Sequence, residues 1–450
     1  MAASSEPAGR AESGESPSVR LPRRTSGIRA GVIVFFGIAV ANAGNYLFQL
    51  VAARWLGPGQ YGDLAALVAV AALITLPLGG LQAAVARDVA TLEAEKRHAL
   101  AAARTRYGLG LALGAGVIAA SALMLLSEFI RQMLDIASLL AVVLTLALVI
   151  PAFLMPLLLG WLQGVQRFGL LSATLSIGPM LRIALLAIVV AAGQGVAGAI
   201  GATLVASAAA LVIPMAVLRA NLGRGIPRAA GRFDWTKGLR RSFPVVTGLL
   251  ALTALSTIDI VVANTALDGH WAGIYGSASL IGRVILYLST AVVTVLLPKV
   301  SERSALRLDT RTILSASLIA TAVLSLGLTL VYTLFSGTIV TLTVGGEYAD
   351  AGPLLWIFAL AMSGYALLNV LLFNDLGQGG TSMVKLLVGG TAAQLVAFAI
   401  FHDSAWQLVT VSAATSFVLL LVHEVLVDPS LTRGVRSIGT VTRNIRRTMR

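Results

Sequence analysis

The chain has 450 residues, 57% of them hydrophobic and only 12% charged, where a soluble domain carries about 25% charged residues, so a water-soluble globule is excluded. Its net charge of +13 would fit a nucleic-acid partner in a soluble protein, whereas in a membrane protein basic residues set topology. There is no cysteine and there are four histidines, no two of them at metal-ligand spacing, which removes disulfides, thiolate chemistry and the usual zinc sites; no metal or cofactor is expected.

Residues 1–29 are rich in Ser, Glu, Pro, Gly and Arg without apolar periodicity, and are expected to form a disordered cytoplasmic tail. Twelve apolar runs follow, at 30–53, 64–86, 107–126, 137–161, 169–191, 196–218, 242–266, 272–297, 312–343, 351–373, 381–400 and 406–427. About 20 helical residues at 1.5 Å each cross a hydrocarbon core roughly 30 Å thick. Barrel strands would instead alternate over about 10 residues. The fold class is therefore an all-α polytopic membrane protein of about twelve transmembrane helices. The first run passes through Ala39-Val40-Ala41, which resembles a signal-peptidase site, but it continues to Ala53 and is too long for a signal core. The ninth is too long for one straight crossing and is expected to end near Leu334, with 335–342 lying along the interface. Pro77, Pro151, Pro156, Pro179, Pro214 and Pro244 predict kinks, tolerated where neighbouring helices satisfy the freed carbonyls.

With the amino terminus in the cytoplasm, 29 of the 33 basic residues fall in inside loops and tails, Lys385 among them at the inner end of the eleventh run; Arg54 and Arg131 lie outside, and Arg182 and Arg283 lie deep within spans. The positive-inside rule thus puts both termini in the cytoplasm. One span more or fewer in the middle would invert every later loop, so the asymmetry supports the count of twelve independently of hydropathy. The basic segment 219–241 divides the runs six and six. It suggests an amino-terminal lobe at 30–218 and a carboxy-terminal lobe at 242–427, followed by a basic cytoplasmic tail at 428–450, with anionic lipid headgroups as partners of the cytoplasmic charge. No nucleic-acid partner is implied.

A short repeat joins the halves. Gly59-Gln60-Tyr61-Gly62 and Gly273-Ile274-Tyr275-Gly276 stand 214 residues apart, each at the outer entry to an even-numbered span. Six spans per lobe give both lobes one orientation, related by a pseudo-two-fold axis along the membrane normal.

The stretch from Asn45 to Leu67, NYLFQLVAARWLGPGQYGDLAAL, resembles the opening of polysaccharide-transport proteins. These are the oligosaccharide-lipid flippase branch of the multidrug/oligosaccharidyl-lipid/polysaccharide exporter superfamily. Asp259, Gly273-Ile274-Tyr275-Gly276, Ile281-Gly282-Arg283 and Leu297-Pro298-Lys299-Val300-Ser301 are similar to it as well. The resemblance implies two six-helix lobes around a central cavity, in the inner (plasma) membrane. It also implies alternating access carrying undecaprenyl-pyrophosphate-linked oligosaccharide to the outer leaflet, with polysaccharide-assembly enzymes as further candidate partners. Lipid II flippases carry arginines within the first helix; here Asn42 and Asn45 stand instead.

The costly residues point to a cavity, because an ionised side chain in hydrocarbon costs on the order of 3 kcal/mol on insertion scales. Arg182, Asp259 and Arg283 lie at similar depth, in the outer half to middle of the membrane. Either Asp259 and an arginine form a purely structural bridge, or the arginines bind a pyrophosphate diester, for which the planar guanidinium fork is suited. Asn42, Asn45 and Gln49 recur at i, i+3 and i+7 on one helical face. They can hydrogen-bond sugar hydroxyls or bond between helices, and Tyr365 with Asn369, at i and i+4, allows the same two readings. A cation-coupled multidrug antiporter is the alternative transporter, weakened by Asp259 being the only deep acid. A membrane-embedded glycosyltransferase or polymerase lacks a catalytic motif and an outward loop large enough for an acceptor site, so no enzyme is expected.

Topology is directly testable in a chain without native thiols. A cysteine replacing Gly223 should stay unlabelled when an impermeant maleimide is added outside intact cells; labelling from outside would invert the assignment.

Overall fold

The computed structural model describes residues 24–75, 78–221, 235–306 and 308–427, and every element among them is helical. Of the tail expected at 1–29, only 24–29 are described, and they belong to the first helix. The tail at 428–450 and residues 222–234 of the basic segment lie outside the described residues, as does Pro77.

The first half of the chain forms α1 (Arg24–Thr75), α2 (Gly79–Ala94), α3 (His98–Leu125), α4 (Ser127–Met133), α5 (Leu139–Ala147), α6 (Val149–Gly164), α7 (Phe168–Ala191) and α8 (Gly195–Ala220). The second forms α9 (Trp235–Leu255), α10 (Ile258–Ala266), α11 (Gly269–Gly282), α12 (Val284–Ala305), α13 (Arg311–Thr343), α14 (Leu355–Gly377), α15 (Ser382–Ile400) and α16 (Ala405–Val422). Eleven helical runs among the described residues are long and apolar enough to cross a membrane. The first of them, Val32–Ala94, is 63 residues long, far beyond one crossing at 1.5 Å per residue, and it bends at Gly57, so it supplies two crossings. Twelve result. At Gly57 the backbone has φ 71° and ψ 169°, open to glycine at no steric cost, and Pro58 behind it has no amide hydrogen to continue the ladder.

Helix breaks recur where the chemistry is. The seventh crossing is α9 and α10 divided at Ser256-Thr257, and the eighth is α11 and α12 divided at Arg283. The ninth, α13, loses helical geometry at Phe335 (φ −122°, ψ 22°), next to the Leu334 limit expected from its length. An even number of crossings puts Arg24 and Val427 on one side of the bundle, called proximal below; the opposite side is distal.

In the first half α1 packs on α7, α7 on α8, and α6 on α2 and α3; in the second, α14 gathers α12, α13 and α16 while α9 packs on α15. The halves meet where α1 crosses α10 and α11, and where α2 meets α9. At the distal contact the two copies of the repeat pack on each other. A Cβ on Gly273 would stand 1.8 Å from the carbonyl oxygen of Pro58, and one on Gly62 would stand 3.0 Å from the Ala272 Cβ. Tyr61 and Tyr275 fill the space behind, both buried.

Polar ties complete this seal. Arg54 donates from Nε to the Thr343 carbonyl at 2.7 Å and from Nη2 to the Leu342 carbonyl, satisfying orphan acceptors at the end of α13. The Tyr348 hydroxyl donates to the Ala53 carbonyl at 2.7 Å. Asn264 Nδ2 donates to the Leu134 carbonyl at 2.9 Å and to Asp63 Oδ1 at 3.4 Å, while Asp63 Oδ2 accepts from the Ala137 amide at 3.1 Å. One apolar core runs through the seal and the second half, from Phe48 and Leu64 to Phe358 and Leu420. A second core, around Val89, Leu158 and Trp161, belongs to the first half alone.

Overpacking a close contact costs about 1–3 kcal/mol. Gly273→Ala should therefore lower the thermal unfolding midpoint in detergent, whereas Gly59→Ala in the same repeat, where an added Cβ meets nothing within 4 Å, should leave it unchanged.

Candidate substrate cavity

Between the two cores lies a cavity of about 570 Å³. Asn42, Asn45, Tyr46 and Gln49 of α1 form one wall, Gln82 comes from α2, Arg182 from α7, Thr203 and Ser207 from α8, and Tyr287 from α12. Leu148, Met155 and Leu159 supply apolar surface. Among the described residues the lining thus holds amides, hydroxyls and one guanidinium, with no carboxylate.

Arg182 reaches this wall because α1 and α7 approach at small residues. A Cβ on Gly37 would lie 2.4 Å from Ser172 Oγ, and one on Gly44 would lie 2.5 Å from Met180 Cε and 2.8 Å from Pro179 Cβ. One turn beyond Gly44 is Phe48, and three residues beyond Pro179 is Arg182. The Arg182 Cζ sits 3.7 Å from the centroid of the Phe48 ring. Its Nε is buried without a hydrogen-bond partner.

The other deep charges occupy the helix breaks. Asp259 is fully buried; its Oδ2 accepts from the Tyr275 hydroxyl at 2.9 Å, and its Oδ1 has no hydrogen bond. Arg283 Nη2 stands 3.9 Å from that Oδ1 and donates instead to the Ser256 carbonyl at 2.8 Å, an acceptor freed where α9 ends. Asp259 lies in the first turn of α10 and Arg283 caps the end of α11, so each charge also complements a helix dipole. Arg283 is not among the cavity-lining residues, but Tyr287, one turn along α12, is.

Tyr365 and Asn369 are buried elsewhere, inside the second half. The Tyr365 hydroxyl donates to the Ser412 carbonyl at 3.1 Å and accepts from Gln394 Nε2 at 3.0 Å, and Asn369 Nδ2 donates to Ser289 Oγ at 3.1 Å. Both side chains are engaged between helices. Of the residues singled out in the sequence, the structure therefore gathers Asn42, Asn45, Gln49 and Arg182 at one cavity and sets Asp259 with Arg283 beside each other. Phe48, Tyr46, Gln82, Thr203, Ser207 and Tyr287 were not singled out. The last four come from three other helices, and no spacing along the chain announces their convergence.

A family model described as polysaccharide biosynthesis protein matches residues 28–304. The chain belongs to that family. Every residue lining the cavity, from Asn42 to Tyr287, falls within the stretch that matches the family, whereas Tyr365 and Asn369 lie beyond it. A curated relative, an uncharacterised membrane protein of Methanocaldococcus jannaschii, is 25% identical over 191 residues, covering 36% of this chain and 46% of that protein; the match thus spans about half the relative's length. Among solved structures, an inward-facing multidrug resistance MATE family transporter of the MOP superfamily superposes with a TM-score of 0.66 at 18% identity, over 88% of this chain and 95% of that one. The lipid II flippase MurJ in an inward closed conformation gives 0.67 at 12% identity, over 93% of each chain, and a eukaryotic MATE transporter gives 0.64 at 13%, over 93% and 99%. The chain is accordingly a multi-pass membrane protein of the polysaccharide biosynthesis family with the fold of these transporters.

Leaving a buried charge without its partner costs roughly 3–5 kcal/mol. Asp259→Ala should therefore unfold several degrees lower in detergent, and Asp259→Asn combined with Arg283→Gln should recover most of that loss.

Proposed function

We propose that this protein is a flippase that carries a polyprenyl-pyrophosphate-linked oligosaccharide, of the undecaprenyl type, from the inner to the outer leaflet by alternating access. The observation that carries this reading is Arg182: a guanidinium at membrane depth that faces a cavity of amides and hydroxyls and has no counter-ion among the described residues. A cation held this way costs free energy unless an anion arrives. A diphosphate accepts bidentate hydrogen bonds from such a fork, and the amide face of Asn42, Asn45 and Gln49 beside it suits the hydroxyls of the adjoining sugars. Arg283, one turn from the cavity residue Tyr287, is the second candidate phosphate ligand, with Asp259 positioning it while the cavity is empty. The basic loops support a cytoplasmic proximal side, from which cargo enters, with the distal seal closing the opposite side. The described lining residues include no carboxylate, which argues against the antiporter reading, since that needs a titratable acid facing the transported cation.

Transport of a fluorescent polyprenyl-pyrophosphate disaccharide into dithionite-protected positions of proteoliposomes tests this. A charge-assisted hydrogen bond contributes about 1.5–3 kcal/mol, so Arg182→Ala should slow transport roughly tenfold or more. Arg182→Lys should be nearly as slow, because the planar fork is lost while the charge stays. Wild-type protein that exports a lipophilic drug cation and leaves the lipid untouched would refute the proposal. Parental transport by the Asp259→Asn, Arg283→Gln double variant would remove Arg283, though not Arg182, from cargo binding.

A further inference from the structure

We propose that Phe48 is a positioning residue for Arg182: its ring is the seat that fixes the plane of the guanidinium and leaves the fork's donors free for a diphosphate. The inference rests on the anion-binding reading of Arg182 given above and adds to it how that side chain is held.

A guanidinium at this depth can be secured by a carboxylate, by carbonyl oxygens or by an aromatic face. The first two consume N–H donors, and a carboxylate also cancels the charge that an anion would meet. Arg182 has neither among the described residues. It has the Phe48 ring, 3.7 Å from ring centroid to Cζ. An aromatic face attracts the cation through its quadrupole and accepts none of the N–H hydrogen bonds that a carboxylate or a carbonyl would take up. Phe48 is itself fixed, with no exposed surface. It is carried by the part of α1 that Gly44 brings against Pro179 and Met180. Asn45 and Gln49, three residues before and one after it, line the cavity, so the same turn of α1 supplies both the seat and the neighbouring amides. An aromatic residue buried in an apolar core is ordinary; this one carries on its face the one cation among the described residues that line the cavity.

The test uses purified full-length protein in detergent, with geranylgeranyl pyrophosphate as probe and geranylgeraniol as its uncharged control, binding being read by isothermal titration calorimetry. Wild-type protein should prefer the pyrophosphate. Phe48→Leu should weaken its binding about fivefold to tenfold without changing binding of the alcohol, and Phe48→Tyr, which keeps the ring, should stay within about twofold. Introduced into Arg182→Ala, Phe48→Leu should weaken binding no further, since the ring acts only through the arginine. Phe48→Met, similar in volume but without a π face, carries the same expectation and serves if the leucine variant does not fold. Undiminished pyrophosphate binding by Phe48→Leu or Phe48→Met, with Arg182→Ala defective, overturns the role of Phe48 and leaves the flippase reading standing. An equal loss in the presence and absence of Arg182 overturns it too, because a general packing defect acts that way. Wild-type protein that does not distinguish pyrophosphate from alcohol overturns both.

Discussion

The carbonyl oxygen of Pro58 lies where a side chain on Gly273 would begin, and the relation of the two halves depends on that approach. Hydrocarbon gives apolar helix surfaces no reason to prefer one another over lipid, so contact between membrane helices rests on backbone proximity, close packing and interhelical hydrogen bonds. The distal contact uses all three: glycine against carbonyl, Tyr61 and Tyr275 behind it, and the donors of Arg54, Tyr348 and Asn264 across it. The halves meet a second time where α2 approaches α9, and the polar ties belong to the distal joint. The second apolar core stays within the first half, and the space between it and the larger core is lined by Arg182 with the amides of α1 beside it.

The same logic, a close approach at glycine followed one turn later by a polar meeting, recurs within the first half. Gly37 and Gly44 bring α1 against α7, and Phe48 and Arg182 then stand in register. In the second half the meeting is made by breaks instead. The interruptions at Ser256-Thr257 and Arg283 release carbonyls, and one of them holds the Arg283 guanidinium away from full contact with Asp259. The Ile281 carbonyl, just before the second break, accepts from the Tyr332 hydroxyl at 2.9 Å, so these interruptions are supported by neighbouring helices as broken membrane helices require.

The crossings were legible in the sequence because the bilayer allows few lengths and no unsatisfied backbone. The bend at Phe335 follows from a run longer than the hydrocarbon is thick, and the Gly57-Pro58 turn follows from the two residues least suited to a helix interior. The amide face of Asn42, Asn45 and Gln49 could be read from helical periodicity, and Arg182 from the expense of its charge. What could not be read was convergence. Gln82, Thr203, Ser207 and Tyr287 carry no signal until α2, α8 and α12 are placed, and Phe48 looks like any apolar residue of a span until α7 lies beside it. Tyr365 and Asn369 had a spacing as suggestive as that of the α1 amides, yet their partners are Ser412, Gln394 and Ser289 on neighbouring helices. A polar pair in a span has the same one-dimensional signature whether it faces a cavity or another helix.

Arg54 ties the amino-terminal half to the last turn of α13 by a charge on one side and two backbone carbonyls on the other. On the reading that the distal side looks out of the cell, this tie faces surroundings whose ionic strength the organism does not control. Mobile ions screen an exposed guanidinium from a helix terminus over a Debye length of about 3 Å at 1 M. A clasp of this composition is sensitive to salt.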